Sequence, residues 1–226
     1  VNILQIAAEQ GRMYGEPVKV VFPSSIAAYG FGSLAQKTEA GSVSEYEHCK
    51  PSTMYGCNKL YCEHLGRYYA HSYRQLAQDS VQGDDKNRGV VDFRCVRYPG
   101  LISAETIPTG GTSDFVPEML HAAARGEAYT CFVREDSRIP FMTMPEAIDA
   151  TLKLAAAPRS TLTQIVYNIA SFSPSAGEVA ALVKHYFPNA VISFEPDERR
   201  QSIVDSWPAS LDCTAAENDW GFAPTH

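Results

Sequence analysis

No two of the six cysteines, at 49, 57, 62, 95, 131 and 213, stand at C-x-x-C spacing, and no histidine follows one at the distance a zinc finger needs. A metal site is therefore not expected. Six cysteines so dispersed in 226 residues also lack the density of a small secreted disulfide framework, which leaves free thiols in a reducing compartment as the expectation. No run of five basic residues occurs and the formal net charge is -7, so nucleic acid is a poor candidate partner. No apolar run approaches the length of a membrane span, and internal repeats and low-complexity tracts are absent. What is present is a globular composition, 45% hydrophobic and 20% charged, long enough for one sizeable core or a core plus a small lobe.

The pattern alternates strands and helices. Leu4, Ile6, Ala7, Ala8, Met13 and Tyr14 suit an imperfect amphipathic helix over 4–14, and VKVVF at 18–22 reads as a buried parallel strand. Residues 30–53 read as a surface loop, 55–73 as a helix, 82–89 as a solvated turn and 90–98 as a second strand. Helices are expected at 115–125, 145–157, 174–187 (with Ser173 as cap) and 214–220, and strands at 129–133, 164–169 and 191–194. Strand, loop, helix, strand is the order of a parallel βαβ layer, so the fold class is α/β.

The chemistry centres on Tyr55-Gly56-Cys57-Asn58-Lys59. On a helix, positions i and i+4 share a face, so the spacing sets a phenol beside an ammonium. A phenol ordinarily titrates near pH 10, too high for a base at neutral pH, and a cation beside it favours the phenolate. Such a group can take a proton from an alcohol. Alone, the Y-x-x-x-K spacing is weak, because most such pairs are plain helix surface. Ser24-Ser25, directly after the first strand, adds a hydroxyl at the carboxyl end of a parallel strand, where open α/β sheets bind ligands. For Ser25 taken alone, a turn or cap role is the better reading.

Read together, SSIAAYG at 24–30, YGCNK at 55–59 and RYPGLIS at 97–103 resemble the extended short-chain dehydrogenase/reductases, in that order. RYPG, GGTSDF at 110–115, EDSRIPFMTMPEAIDAT at 135–151, YNIASFSPSAGEVA at 167–180 and DSWPASLD at 205–212 are similar to the branch that oxidises L-threonine. The resemblance covers nearly the whole chain. It implies a Rossmann-like doubly wound parallel sheet with a small C-terminal substrate lobe, NAD as cofactor, and oxidation of the L-threonine hydroxyl to 2-amino-3-oxobutanoate. Tyr55 would be the base, Lys59 its tuner and ribose contact, and Ser25 the hydroxyl that polarises the substrate oxygen. Ser24, Tyr98, Pro99, Gly100, Leu101 and Ile102 would join Tyr55 and Lys59 on the cofactor side, with Tyr29 a weaker candidate there. Gly111, Thr112 and Trp207 would join Ser25 and Tyr55 around the substrate; for Trp207 plain packing before Pro208 is nearly as good a reading.

The Gly-rich dinucleotide fingerprint is missing, because Gly30-Phe31-Gly32 sits in a loop and opens no helix. The N-terminal strands that carry it are expected to precede residue 1, leaving these residues alone short of NAD affinity and VKVVF with an unpaired edge. Residues 1–104 are then expected to be the C-terminal part of the NAD-binding core and 105–226 the substrate lobe, with about 145–170 returning to the core. The loops at 30–53 and 74–89 are longer than the resemblance leads one to expect. A homodimer through helices 4–14 and 55–73, in the cytoplasm or the mitochondrial matrix, is what the resemblance implies. Two alternatives stay open. One is a nucleotide-sugar epimerase or dehydratase of the same superfamily, for which Arg138, Arg199 and Arg200 are the obvious diphosphate ligands. The other is a non-catalytic partial chain.

Overall fold

In a computed structural model the chain is described over residues 1–73 and 90–225. The turn expected at 82–89 and the loop at 74–89 lie outside the described residues. Helix α1 (Asn2–Tyr14) leads through Gly15, in the left-handed conformation, into β1 (Val18–Ser25). After a 3-10 turn at Ile26–Ala28 come α2 (Leu34–Ala40), β2 (Ser42–Val43) and α3 (Met54–His71). Then follow β3 (Val91–Tyr98), β4 (Gly100–Ile102), α4 (Phe115–Arg125), β5 (Tyr129–Cys131) and β6 (Phe141–Thr143). The chain continues with α5 (Met144–Ala156), β7 (Val166–Asn168), α6 (Ala176–Tyr186), β8 (Ile192–Phe194), α7 (Glu198–Asp205), β9 (Ser210–Leu211) and α8 (Thr214–Trp220).

The central sheet runs β1-β3-β7, all parallel, with Ser24 opposite Arg97 and Ser25 opposite Tyr98. Side chains on β3 alternate between faces. Val91, Phe93 and Cys95 pack with Leu4, Ala7 and Ala8 of α1 and Tyr69 and Ala70 of α3. Between them, Arg94 points the other way and donates to the carbonyls of Leu154 and Ala157 at the end of α5. Those carbonyls are among the last of a helix, with no partner inside it, so a buried guanidinium satisfies them. Asp92 balances the charge, accepting from Arg94 at 3.0 and 2.7 Å. Helices therefore cover both faces, as a doubly wound Rossmann-like sheet requires.

VKVVF differs from its sequence reading. β3 is buried from Val91 to Arg97, but Lys19 is exposed and Val18, Val20, Val21 and Phe22 are only half-buried, because β1 is an edge strand with a neighbour on one side alone among the described residues. The segment read as a surface loop, 30–53, instead contains α2 and β2 and buries Lys37, Val43 and Glu45. The cap of α6 is Ser175, not Ser173: its hydroxyl accepts from Glu178 N while Glu178 reaches back to Ser175 N. This S-x-x-E box was present in the sequence. The second, larger core runs from Ile26 and Val96 through Phe115, Phe141 and Tyr167 to Trp207 and Phe222, crossing residue 104 without a break.

Candidate active site

The carboxyl ends of β1 and β3 open into a cavity of about 580 Å³. Its walls bring together nine of the residues singled out from the sequence: Ser24, Ser25, Tyr55, Tyr98, Pro99, Gly100, Leu101, Thr112 and Trp207. Lys59, Ile102 and Gly111 are not among the residues that line it. Ile26, Thr53, Ser113, Asp114 and Ile203 also line it and were not singled out. For Thr53 a signal existed, a threonine ahead of a helical run; its Oγ1 caps α3 by accepting from Gly56 N at 3.0 Å. For Ile203 there was little, since ERRQSIVD gives α7 almost no apolar stripe.

Two glycines set the approach of the catalytic helix. A Cβ on Gly56 would lie 1.9 Å from Ala27 O, and one on Gly66 would lie 2.2 Å from the Phe93 ring. Their absence lets α3 press against the turn after β1 and against the sheet. Tyr55 stays 56% exposed, so its hydroxyl is open to the cavity. Lys59 Nζ donates to Pro23 O and sits 5.4 Å from the Tyr55 ring centroid and 5.1 Å from that of Phe22. Ser25 is indeed a cap: its Oγ accepts from Ala27 N at 3.1 Å, which leaves its own proton to donate.

Beneath the cavity lies a buried polar network. Ser24 Oγ donates to Glu63 Oε1 at 2.5 Å, so its hydroxyl is committed inward. Arg97 grips the same carboxylate in a fork, at 2.9 and 2.6 Å, and donates to Glu45 O at 2.7 Å. Its guanidinium lies 4.6 Å from the Tyr29 ring centroid, and Tyr29 donates to Asn168 Oδ1 at 2.7 Å. Tyr29 is thus part of this network and not of the cavity wall; burial pushes its hydroxyl well above the ordinary phenol range, keeping it a donor. The network ties α3, β1, β3 and β7 into one frame under Tyr55 and Ser25.

The loop before α4 closes another side. Asp114 Oδ2 accepts from Gly111 N at 2.7 Å, and Arg200 on α7 donates to Gly111 O at 2.8 Å and Gly110 O at 3.2 Å. Arg138 is engaged with Glu178 at 2.9 Å and with Ser173 O. Among the described residues, no lysine or arginine lines the cavity. Trp207 is buried, and its indole N–H is without a hydrogen-bond partner among the described residues. Also among these residues, no cluster of His, Cys, Asp or Glu is placed to hold a metal, and no helix is long and apolar enough to cross a membrane.

Comparison with known proteins follows the same lines. L-threonine 3-dehydrogenase, mitochondrial, from Bos taurus is 33% identical over 221 residues, covering 98% of this chain and 52% of the relative. The chain thus spans about half the length of that curated relative. A GalE-like L-threonine dehydrogenase from Cupriavidus necator superposes with a TM-score of 0.81 at 38% identity, covering all of this chain and 73% of the other. The L-threonine 3-dehydrogenase of Trypanosoma brucei gives 0.79 at 34%, covering all of this chain and 63% of the other. A nucleoside-diphosphate-sugar epimerase from Agrobacterium tumefaciens shares the fold at 20% identity. Residues 1–170 match the NAD dependent epimerase/dehydratase family, and with that match spanning most of its length the chain belongs to this family.

Proposed function

We propose that the protein oxidises the side-chain hydroxyl of L-threonine to 2-amino-3-oxobutanoate, with NAD as the cofactor. The observation that carries this reading is a cavity that joins the Tyr55 and Ser25 hydroxyls and, among the described residues, has no cationic side chain in its wall. A nucleotide-sugar diphosphate would find no charged partner there: Arg138 and Arg200 are turned to other groups, and Arg199 is exposed elsewhere. A small zwitterion suits the site better. Its volume lies within the roughly 300–1,000 Å³ of small-molecule sites. Asp114 supplies a carboxylate for an ammonium group, and Trp207 lines the same cavity.

These residues fit one end of NAD. Tyr98 to Leu101, with Ile102 next in the chain, would hold the nicotinamide, and Tyr55 and Lys59 the adjoining ribose. When bound, NAD supplies the acceptor for hydride. Tyr55 Oη takes the hydroxyl proton of the substrate, and Ser25 donates to the substrate oxygen while Ala27 N–H fixes its Oγ. Lys59, tethered to Pro23 O, keeps a positive charge under the phenol ring. Thr112, with Gly111 before it in the chain, forms the loop side of the substrate pocket. A homodimer through the outer faces of α1 and α3 accompanies this reading, as does a reducing setting, cytoplasm or mitochondrial matrix, for six thiols that are all free.

The test offers L-threonine and a UDP-hexose, each with NAD, to the protein and to Tyr55→Phe. Threonine oxidation that falls about a hundredfold or more in the variant, with the NAD dissociation constant little changed, is the expected result. Epimerisation of the sugar without threonine oxidation would transfer the site to the other chemistry.

A further inference from the structure

At the opposite end of the sheet, where β3 and β7 begin, a second cavity of about 160 Å³ lies between the last turn of α3 and the segment leading into β7. Its wall carries Arg67, His71 and Arg159. Arg67 and His71 are four residues apart and share a face of α3. We propose that this cavity binds a phosphate group, either free phosphate or the terminal phosphate of a small metabolite.

Three observations point the same way. The Arg67 guanidinium stacks on Tyr46, 5.5 Å from its centroid, and no carboxylate among the described residues pairs with it. Asp92 is the acidic member of the wall, but both its oxygens are held by Arg94, so it does not neutralise Arg67. In the same wall, Gln164 has a buried side-chain nitrogen with no hydrogen-bond partner among the described residues, a donor that a ligand oxygen would satisfy after rotation of the terminal amide. His71 titrates below the usual imidazole range, through burial first and then through Arg67 and Arg159. Tyr46 and Asp92 are the other titratable groups lining it.

Guanidinium forks and an imidazole around a small concavity suit a tetrahedral oxyanion. The volume falls below that of sites which enclose a nucleotide-sized molecule, so only the phosphate itself would be enclosed. The position, at the opposite end of α3 and of the sheet from Tyr55, makes this a site separate from the catalytic cavity.

Calorimetric titration at fixed ionic strength, with sodium phosphate in one arm and glycerol 3-phosphate in the other, tests the proposal. Thermal stabilisation alone would not serve, because phosphate stabilises most proteins by exclusion from their surfaces. Saturable binding is expected in the parent protein, weakened at least about tenfold in Arg67→Met and in Arg159→Met, the loss of a charge-assisted hydrogen bond. The His71 ring protons, followed by NMR, should titrate at higher pH with phosphate present. Binding of phosphate alone identifies the free ion as the ligand, and binding of both probes identifies an open-ended site for phosphate esters. No saturable binding of either probe, or unchanged affinity in both folded variants, overturns the proposal.

Discussion

Glu63 illustrates what a single residue contributes beneath a site it does not touch. Its carboxylate receives the Ser24 hydroxyl and two Arg97 nitrogens, and both charged side chains are almost wholly buried. A buried pair of this kind adds little over a well-packed apolar pair, but removing one partner strands the other. Glu63→Leu should therefore cost about 3–5 kcal/mol in chemical denaturation, and the double change Glu63→Leu with Arg97→Met should recover part of that loss. Equal destabilisation by the single and the double change would mean that the pair acts only by filling space. Tyr55, Ser25 and Trp207 were legible in the sequence, because fixed spacings and short motifs mark them. Glu63 and Arg97 were not. A glutamate on a helix and an arginine in a strand ordinarily face water, and only the packing of α3 on β3 shows that these two meet.

At the scale of elements, the strongly periodic α4 falls where the pattern put it, and so does the short α8. The misses share a cause: α2 and α7 are short, polar helices, LAQKTEA and ERRQSIVD, whose placement comes from tertiary contacts rather than from an apolar stripe. Lys37 on α2 shows the contact. It is 3% exposed and donates to Val204 O on α7 at 3.0 Å. Burial lowers its ammonium to about 8, with Asp205 opposing and Arg134 assisting the shift. The unfolded chain then holds this proton between about pH 8 and 10.5 while the folded chain has released it, so this group makes stability rise with pH across that window. The span corresponds to roughly 3 kcal/mol at most. Cys213, pushed up to about 12 by burial, and Tyr29, also raised, act with the opposite sign at higher pH but are the same in a Lys37→Met variant. Comparing parent with Lys37→Met isolates the lysine: the parent should gain stability relative to the variant as pH rises from 7.5 to 10. A constant difference across that range would show that the buried ammonium keeps its ordinary proton affinity.

For the whole molecule, the outer surface of α1 matters most. Leu4, Ile6, Ala7, Ala8, Met13 and Tyr14 suit an imperfect amphipathic helix in the sequence, and the structure divides them between two faces. Leu4, Ala7, Ala8 and Gly11 turn inward, while Ile3, Ile6, Met13 and Tyr14 face outward. A helix apolar on both sides is normally covered on both. Beside it, α3 presents Tyr61 and Tyr68, and the two helices pack against each other, so their outer faces form one apolar surface. A second copy related by a two-fold axis would cover it with the same surface, which is how most soluble homo-oligomers are built. Ile6 is 58% exposed in the single chain, so Ile6→Glu should leave the fold of each subunit intact while placing two carboxylates in the interface. Light scattering after size exclusion should show a dimer for the parent and a monomer for Ile6→Glu, with the melting temperature of the parent alone rising with protein concentration. Ile148→Glu is the control. That side chain, on α5, is 54% exposed and lies away from α1 and α3, so the same charge there should leave the dimer mass unchanged. A parent protein that is monomeric at about a hundred micromolar, or an Ile6→Glu variant that keeps the dimer mass, would move the contact to another face.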